Sequence, residues 1–317
     1  MAMEIFQRNH VVGAVNLSGG FGPMLEAQLA AAKPYGGRVL VFANLAPRHF
    51  LEPGWVEAQI ALLRRAKAQG ARGLKIYKAL GLGFTDPAGA RVKVDDPRLD
   101  PIFEECAKLG FPVALHVGDP KAFFRPPTPD NERFEELSLN PGWSFYGPGF
   151  PTWEELFQEF EARVQRHPST LFIGVHFGND PEDPARVAAL LERHPNLIID
   201  TAARLGEIGR TRPEKLRAIF VAHRKRILFG TDFSAFDGAL TLGAPMPGAP
   251  PTAPDADRFF ELHWRFFESA ERAIPHPTPI QGRWTVDAIG LPEDVLHDLY
   301  HRNAEHLFGL PPLAVRR

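Results

Sequence analysis

His116, His176 and Asp232 each close an apolar run: Pro112-Val-Ala-Leu-His116, Leu171-Phe-Ile-Gly-Val-His176 and Arg226-Ile-Leu-Phe-Gly-Thr-Asp232. Small or turn-forming residues follow the histidines, Val117-Gly118 and Phe177-Gly178-Asn179, and Gly230 gives the third run backbone freedom just before its acid. Taken singly, each has an ordinary use. A lone strand-end histidine is more often structural, and an aspartate after Gly-Thr is more often a turn or helix-cap residue. At the same position on three strands they say more, because two neutral imidazoles and a carboxylate are the donors that Zn²⁺ or a similar divalent ion requires.

The elements that would carry these residues recur along the chain. Val11–Leu17, Val39–Asn44, Gly73–Lys78, Pro112–His116, Leu171–His176, Asn196–Asp200 and Arg226–Asp232 read as short strands, apolar enough to be covered on both faces. Helices are expected between and after them, over Met24–Lys33, Trp55–Gln69, Asp100–Leu109, Thr152–Arg166, Pro184–Arg193, Pro213–His223, Asp255–Ile274 and Pro292–Leu307. About seven strands alternating with helices close most naturally into a (β/α)₈ barrel, whose reactive face lies at the C-terminal strand ends. Those ends carry Lys, His, His, Asp and Asp. A doubly wound open sheet fits less well, since no Gly-x-Gly-x-x-Gly follows the first strand and there is no phosphate loop.

The 317 residues are read as one barrel domain, 1–317, with two interruptions. Residues 119–151, rich in proline and aromatics, leave the chain just after His116 and are expected to form a lid or pocket wall. Residues 234–254, rich in glycine and proline, leave just after Asp232 and should overhang the same mouth. C-terminal helices over 255–317 complete the outer layer. Phe259, Phe260, Trp264, Phe266 and Phe267 offer more apolar surface than one helical face needs, which suggests an interface and a possible homo-oligomer.

Composition removes several classes of function. Lys+Arg 36 against Asp+Glu 38 gives a net charge of -2, so there is no electrostatic case for nucleic acid or for a polybasic membrane surface. The single cysteine, Cys106, excludes an intramolecular disulfide and any CxxC cluster, and its place in an amphipathic stretch makes it a core residue. The segment Met-Ala-Met-Glu-Ile-Phe-Gln-Arg-Asn-His is no signal peptide, and no run reaches transmembrane length, so a cytoplasmic protein acting on a small molecule is expected.

The strand-end motifs Gly73-Leu-Lys-Ile-Tyr-Lys, Val-Ala-Leu-His116, Phe-Ile-Gly-Val-His176-Phe-Gly-Asn, Asn-Leu-Ile-Ile-Asp200 and Ile-Leu-Phe-Gly-Thr-Asp232 resemble successive strands of the amidohydrolase superfamily. The similar branch contains aminocarboxymuconate-semialdehyde decarboxylase and metal-dependent hydrolases of pyrone or aromatic acids. The resemblance covers about Val11 to Phe233. It implies an amidohydrolase-type barrel with His116 as a metal ligand from the fifth strand. His176, from the sixth, would hold the metal or polarise water or substrate, and Asp232, from the eighth, would be ligand and proton shuttle. The ion implied is Zn²⁺, with Mn²⁺ as the alternative. The family's first strand ends in His-x-His, a motif found nowhere in this chain. The resemblance therefore implies a barrel lacking its first strand, through truncation or loss, with unpaired edges on its second and eighth strands through which copies could associate.

In the superfamily a fourth-strand lysine can be carboxylated to bridge two metals. The decarboxylase-like branch is usually mononuclear, so Lys75 is read as a contact for a substrate carboxylate. Arg204 is a second anion clamp, and Asp119, Arg125 and Asn179 are further pocket residues. A metal-lowered water pKa, with Asp232 taking the proton and His176 steadying the oxyanion, serves hydrolysis of an amide or lactone. The alternatives are non-oxidative decarboxylation, an inactive ligand-binding barrel without the His-x-His ligands, and a sugar-processing barrel using Asp200 with Asp232.

Overall fold

The computed structural model describes residues 1–118, 120–245 and 248–313. Its parallel strands are β1 (Ala14–Asn16), β2 (Val39–Val41), β3 (Ala43–Asn44), β4 (Leu74–Ile76), β5 (Val113–Leu115), β6 (Phe172–Gly174), β7 (Leu197–Asp200) and β8 (Ile227–Leu228). β2 and β3 are one extended run that changes partner at Phe42. The Phe42 N–H bonds the Asn16 carbonyl at 2.9 Å, and the next N–H, of Ala43, bonds the Gly73 carbonyl at 2.9 Å on the other side. The order is therefore β1-β2, then β3-β4-β5-β6-β7-β8, with every pair parallel. The ladders are shorter than the apolar runs that signal them, because the chain already turns where the polar strand-end residues begin.

Helices separate the strands: α1 (Ala2–Arg8), α2 (Gly22–Ala32), α3 (Trp55–Gln69), α4 (Asp100–Leu109), α5 (Trp153–Arg166), α6 (Pro184–Arg193) and α7 (Pro213–Ala222), followed by α8 (Ala253–Glu268). The capping box of Thr152 with Glu155 starts α5, and Gly70 and Gly110, both in the left-handed region, end α3 and α4. Strand alternation divides the apolar residues into two sets. Leu74, Ile76, Val113, Leu115, Phe172 and Leu197 face the helices, with Cys106 buried among them. Leu40, Phe42, Ala114, Ile173 and Val175 face inward and form the lumen. Lys75 lies opposite Ala114, so it belongs to the inward row, and it is buried there.

No strand among the described residues joins β8 to β1. The expectation of two bare edges nevertheless needs correction, because the outer edge of β8 is occupied. The Phe229 N–H donates to the Leu299 carbonyl at 3.1 Å, and the Asn303 side-chain amide donates to the Ile227 carbonyl at 2.8 Å. The helix expected over Pro292–Leu307 supplies these partners by breaking into Glu293–His297, a π-helical turn Asp298–Arg302, and Asn303–Phe308. Phe308 then enters the lumen, 6.0 Å from Phe42 between ring centroids, and its carbonyl accepts from Arg72.

Asp237 and Gly238, both at positive φ, make a two-residue turn joining β9 (Phe233–Phe236) to β10 (Ala239–Leu242). The helix expected over Asp255–Ile274 instead spans Ala253–Glu268, and Ile274 enters a short hairpin, β11 (Ile274–Pro275) with β12 (Thr285–Val286). Its aromatic surplus is absorbed within the chain. Phe259 and Phe260 pack with Ile5, Phe6 and the β9–β10 hairpin, while Phe266 and Phe267 join the main core.

Candidate active site

His116 follows β5 directly, and its N–H donates to the Ile76 carbonyl at 3.0 Å, extending the ladder by one rung. His176 leaves β6 differently. It and Phe177 both sit in the left-handed region, at φ 54° and 57°, which swings the imidazole over the strand ends. The two rings meet edge to face, 4.3 Å between centroids. The Nδ1 of His176 lies 2.9 Å from the Ala202 carbonyl. A carbonyl oxygen can only accept, so Nδ1 carries a proton, and in the neutral ring Nε2 is the unprotonated nitrogen.

Asp200, the last residue of β7, stands beside this turn. One carboxylate oxygen accepts the His176 N–H at 2.9 Å and the Ala202 N–H at 3.0 Å. Burial pushes its pKa up to about 6; the two N–H donors and the Lys75 ammonium oppose that shift, and Asp232 adds to it. Asp232 lies four residues past β8 in the left-handed region at φ 59°, exposed at the rim, with its carbonyl accepting the Gly243 N–H at 3.3 Å. Thr201 stitches β7 to this segment: its hydroxyl donates to the Gly230 carbonyl at 2.9 Å and accepts the Gly230 N–H at 3.0 Å.

The other sequence-predicted residues are spread more widely. The Lys75 ammonium lies over the Tyr77 ring at 5.4 Å, and the Tyr77 hydroxyl reaches the Ser18 hydroxyl at 3.1 Å, at the end of β1. Asn179 is buried and spends its amide on the strand that carries His116, accepting the Val117 N–H at 2.8 Å and donating to the Leu115 carbonyl at 3.2 Å. Arg204 is buried at the turn after β7, where it donates to the Ala203 carbonyl at 2.8 Å. Arg125 is exposed on the insertion, and Asp119 lies outside the described residues.

Sequence reasoning missed how the insertion is held. The Lys78 ammonium, two residues past β4, sits among three insertion rings: Phe123 at 4.8 Å, Phe145 at 5.4 Å and Trp143 at 5.5 Å from its centroids. Lys121 pairs with buried Asp180 at 2.6 Å and covers Trp153 at 4.1 Å. Arg133, also buried, bonds Glu136 at 2.6 Å within the insertion and Glu207 beyond β7. Burial disfavours the Glu207 carboxylate, but Arg133, Arg204 and His276 outweigh it and hold its pKa below the ordinary range. The local signal was available for Lys78, a cation adjoining an aromatic-rich insertion; for Arg133 there was none.

The donor chemistry fits a divalent ion at the histidine pair: two imidazoles side by side, one with its tautomer fixed to leave a lone pair free of the proton. Asp232 occupies the same rim, but among the described residues no three His, Cys, Asp or Glu side chains converge at metal-ligand spacing. A groove of about 440 Å³ between α2 and β2, lined by Leu29, Val39 and Arg72, flanks the opposite, N-terminal ends of the strands.

No curated protein matches the chain. Among solved structures, 2,6-dihydroxybenzoate decarboxylase from Rhizobium is similar with a TM-score of 0.55 at 18% identity, over 98% of this chain and 88% of that one. Dihydroxybenzoic acid decarboxylase from Polaromonas, with bound manganese and 2-nitroresorcinol, gives 0.51 at 16%, over 98% and 78%. 4-Oxalomesaconate hydratase from Rhodopseudomonas palustris gives 0.53 at 14%, over 98% and 80%. These likenesses concern the fold. Residues 19–310 match the amidohydrolase family itself, and this chain belongs to it.

Proposed function

We propose that this protein is a metal-dependent hydrolase of a small carboxylate-bearing molecule, cleaving an amide, lactone or related bond. The observation that carries the reading is the His116–His176 pair, 4.3 Å apart at the mouth with the His176 tautomer set by the Ala202 carbonyl. His116 and His176 would hold the ion, zinc or manganese by donor type, with Asp232 on the same rim rather than in the ligand shell. When bound, it supplies Lewis acidity and a more acidic water. The chain's own groups account for the rest. Asp232, exposed at the rim, accepts the proton of the attacking water at its carboxylate. Lys75 and Arg204 orient the substrate carboxylate, and the rings of Phe123, Trp143 and Phe145 exclude solvent from its apolar body.

A second reading, non-oxidative decarboxylation, is favoured by buried Lys75 beside Asp200, a cation and an acid on the inward face, and by the similarity to two dihydroxybenzoate decarboxylases. Metal analysis of protein produced with added zinc or manganese tests the common core, with about one equivalent per chain expected. Below about one-tenth equivalent, the metal reading fails and a ligand-binding barrel takes its place. Assays on pyrone, lactone and hydroxybenzoic acids then separate hydrolysis from carbon dioxide release.

A further inference from the structure

The turn that delivers His176 is costly as the sequence writes it. Two consecutive non-glycine residues, His176 and Phe177, adopt left-handed backbone conformations, which L side chains disfavour. Something must over-determine it. Within the turn, the Asn179 N–H bonds the Val175 carbonyl at 2.9 Å, and Phe177 is wholly buried, 5.9 Å from Phe220 between centroids. Those contacts hold Phe177 and the end of the turn, but neither touches His176.

Asp200 does. Its one oxygen gathers the N–H groups of His176 and Ala202, and the Ala202 carbonyl in turn receives the His176 Nδ1 proton. The arrangement is closed: Asp200 fixes the backbone of the histidine and the backbone of the residue that selects its tautomer. Asp200 is buried. Removing its acceptor would leave two sheltered N–H groups without it and free both ends of the clamp together.

We infer that Asp200 is the positioning residue of this site, setting the direction and tautomer of His176 toward His116 through two backbone N–H groups, without touching the substrate. The inference rests on the proposed metal-site reading for its functional meaning, but the clamp itself can be measured without metal. It assigns the strand-seven acid a role different from proton transfer or sugar chemistry.

The test is long-range ¹H–¹⁵N correlation of histidine side chains in metal-free protein, assigned with His176→Gln, followed by zinc titration. Wild type should show His176 as a single Nδ1–H tautomer. Asp200→Asn keeps an oxygen acceptor and should keep that tautomer. Asp200→Ala should show mixed or exchanging tautomers and bind zinc about 10–100-fold more weakly. If the alanine variant does not fold, Asp200→Ser, too short to reach both N–H groups, takes its place with the same expectation. A folded alanine or serine variant that retains the pure Nδ1–H tautomer overturns the inference, as does an asparagine variant that loses it. Wild type that shows the tautomer yet binds no zinc leaves the clamp standing and removes the metal reading instead.

Discussion

His116 and His176 leave neighbouring strands by different routes and still bring their imidazoles edge to face at 4.3 Å, one by prolonging its ladder and the other by a left-handed turn. As the proposed ligands they act together. His116→Ala and His176→Ala should each weaken zinc binding by more than about 100-fold, beyond the range of outer-partner changes, with the double variant little worse than either single one. Isothermal titration reads all three. Additive losses would mean that the two rings do not share an ion.

The Lys78 ammonium is the cation of a three-ring cage whose rings all belong to the insertion. Lys78→Met should remove about 0.5–2 kcal/mol of attraction and loosen residues 120–150, while Lys78→Arg should retain most of it. Limited proteolysis and Trp143 fluorescence report the change. Equal cleavage rates for wild type and the methionine variant would show that the cage does not hold the insertion.

Arg133 is buried between two carboxylates, so its removal leaves charges rather than a simple cavity. Arg133→Met should destabilise the protein by about 3–5 kcal/mol in denaturant unfolding. Combining it with Glu136→Gln and Glu207→Gln should recover a good part of that loss, because the stranded charges disappear with it. No recovery in the triple variant would place the cost in packing.

His263 sets a pH dependence of stability. Burial lowers its pKa to about 4, against the opposing bond to the Phe259 carbonyl at 2.7 Å. The unfolded chain takes up its proton near 6.5 and the folded one only near 4, so stability is lost as the pH falls through that window, by about 3 kcal/mol in full. His263→Phe should make the profile shallower between pH 6.5 and 4, with buried His276, also lowered to about 4, supplying the slope that remains. Asp180 acts with the opposite sign: burial raises it to about 6 despite Lys121, so its contribution weakens the fold as pH rises from about 4 to 6. Unfolding midpoints across pH, compared between wild type and the phenylalanine variant, separate the two.

The strand-end logic was legible because a buried parallel strand must be apolar until it surfaces, so the first polar residue marks the mouth. His116 and Asp200 lie where that rule puts them. The turn at His176 was not legible, since left-handed backbone is advertised by Gly178 and Asn179 but not by the His-Phe pair before them. The insertion's hold on the core depends on partners such as Arg133 and Glu207, 74 residues apart, which local pattern cannot pair. Asp237-Gly238 did carry a hairpin signal, hidden within a segment whose glycine and proline content reads as loop.

The capping of β8 by the π-helical turn and Asn303 bears on the order in which the molecule assembles. Asn303 lies 76 residues beyond the Ile227 carbonyl that it bonds. During synthesis, the strand leading to Asp232 emerges with one side matched by β7 and the other still wet. Closing so long a loop costs more chain entropy than forming the adjacent β/α units, so the rim at Asp232 is expected to complete after them. Until residues 298–303 dock, β8 is the open edge of the growing sheet, the place where pairing with another chain is expected first.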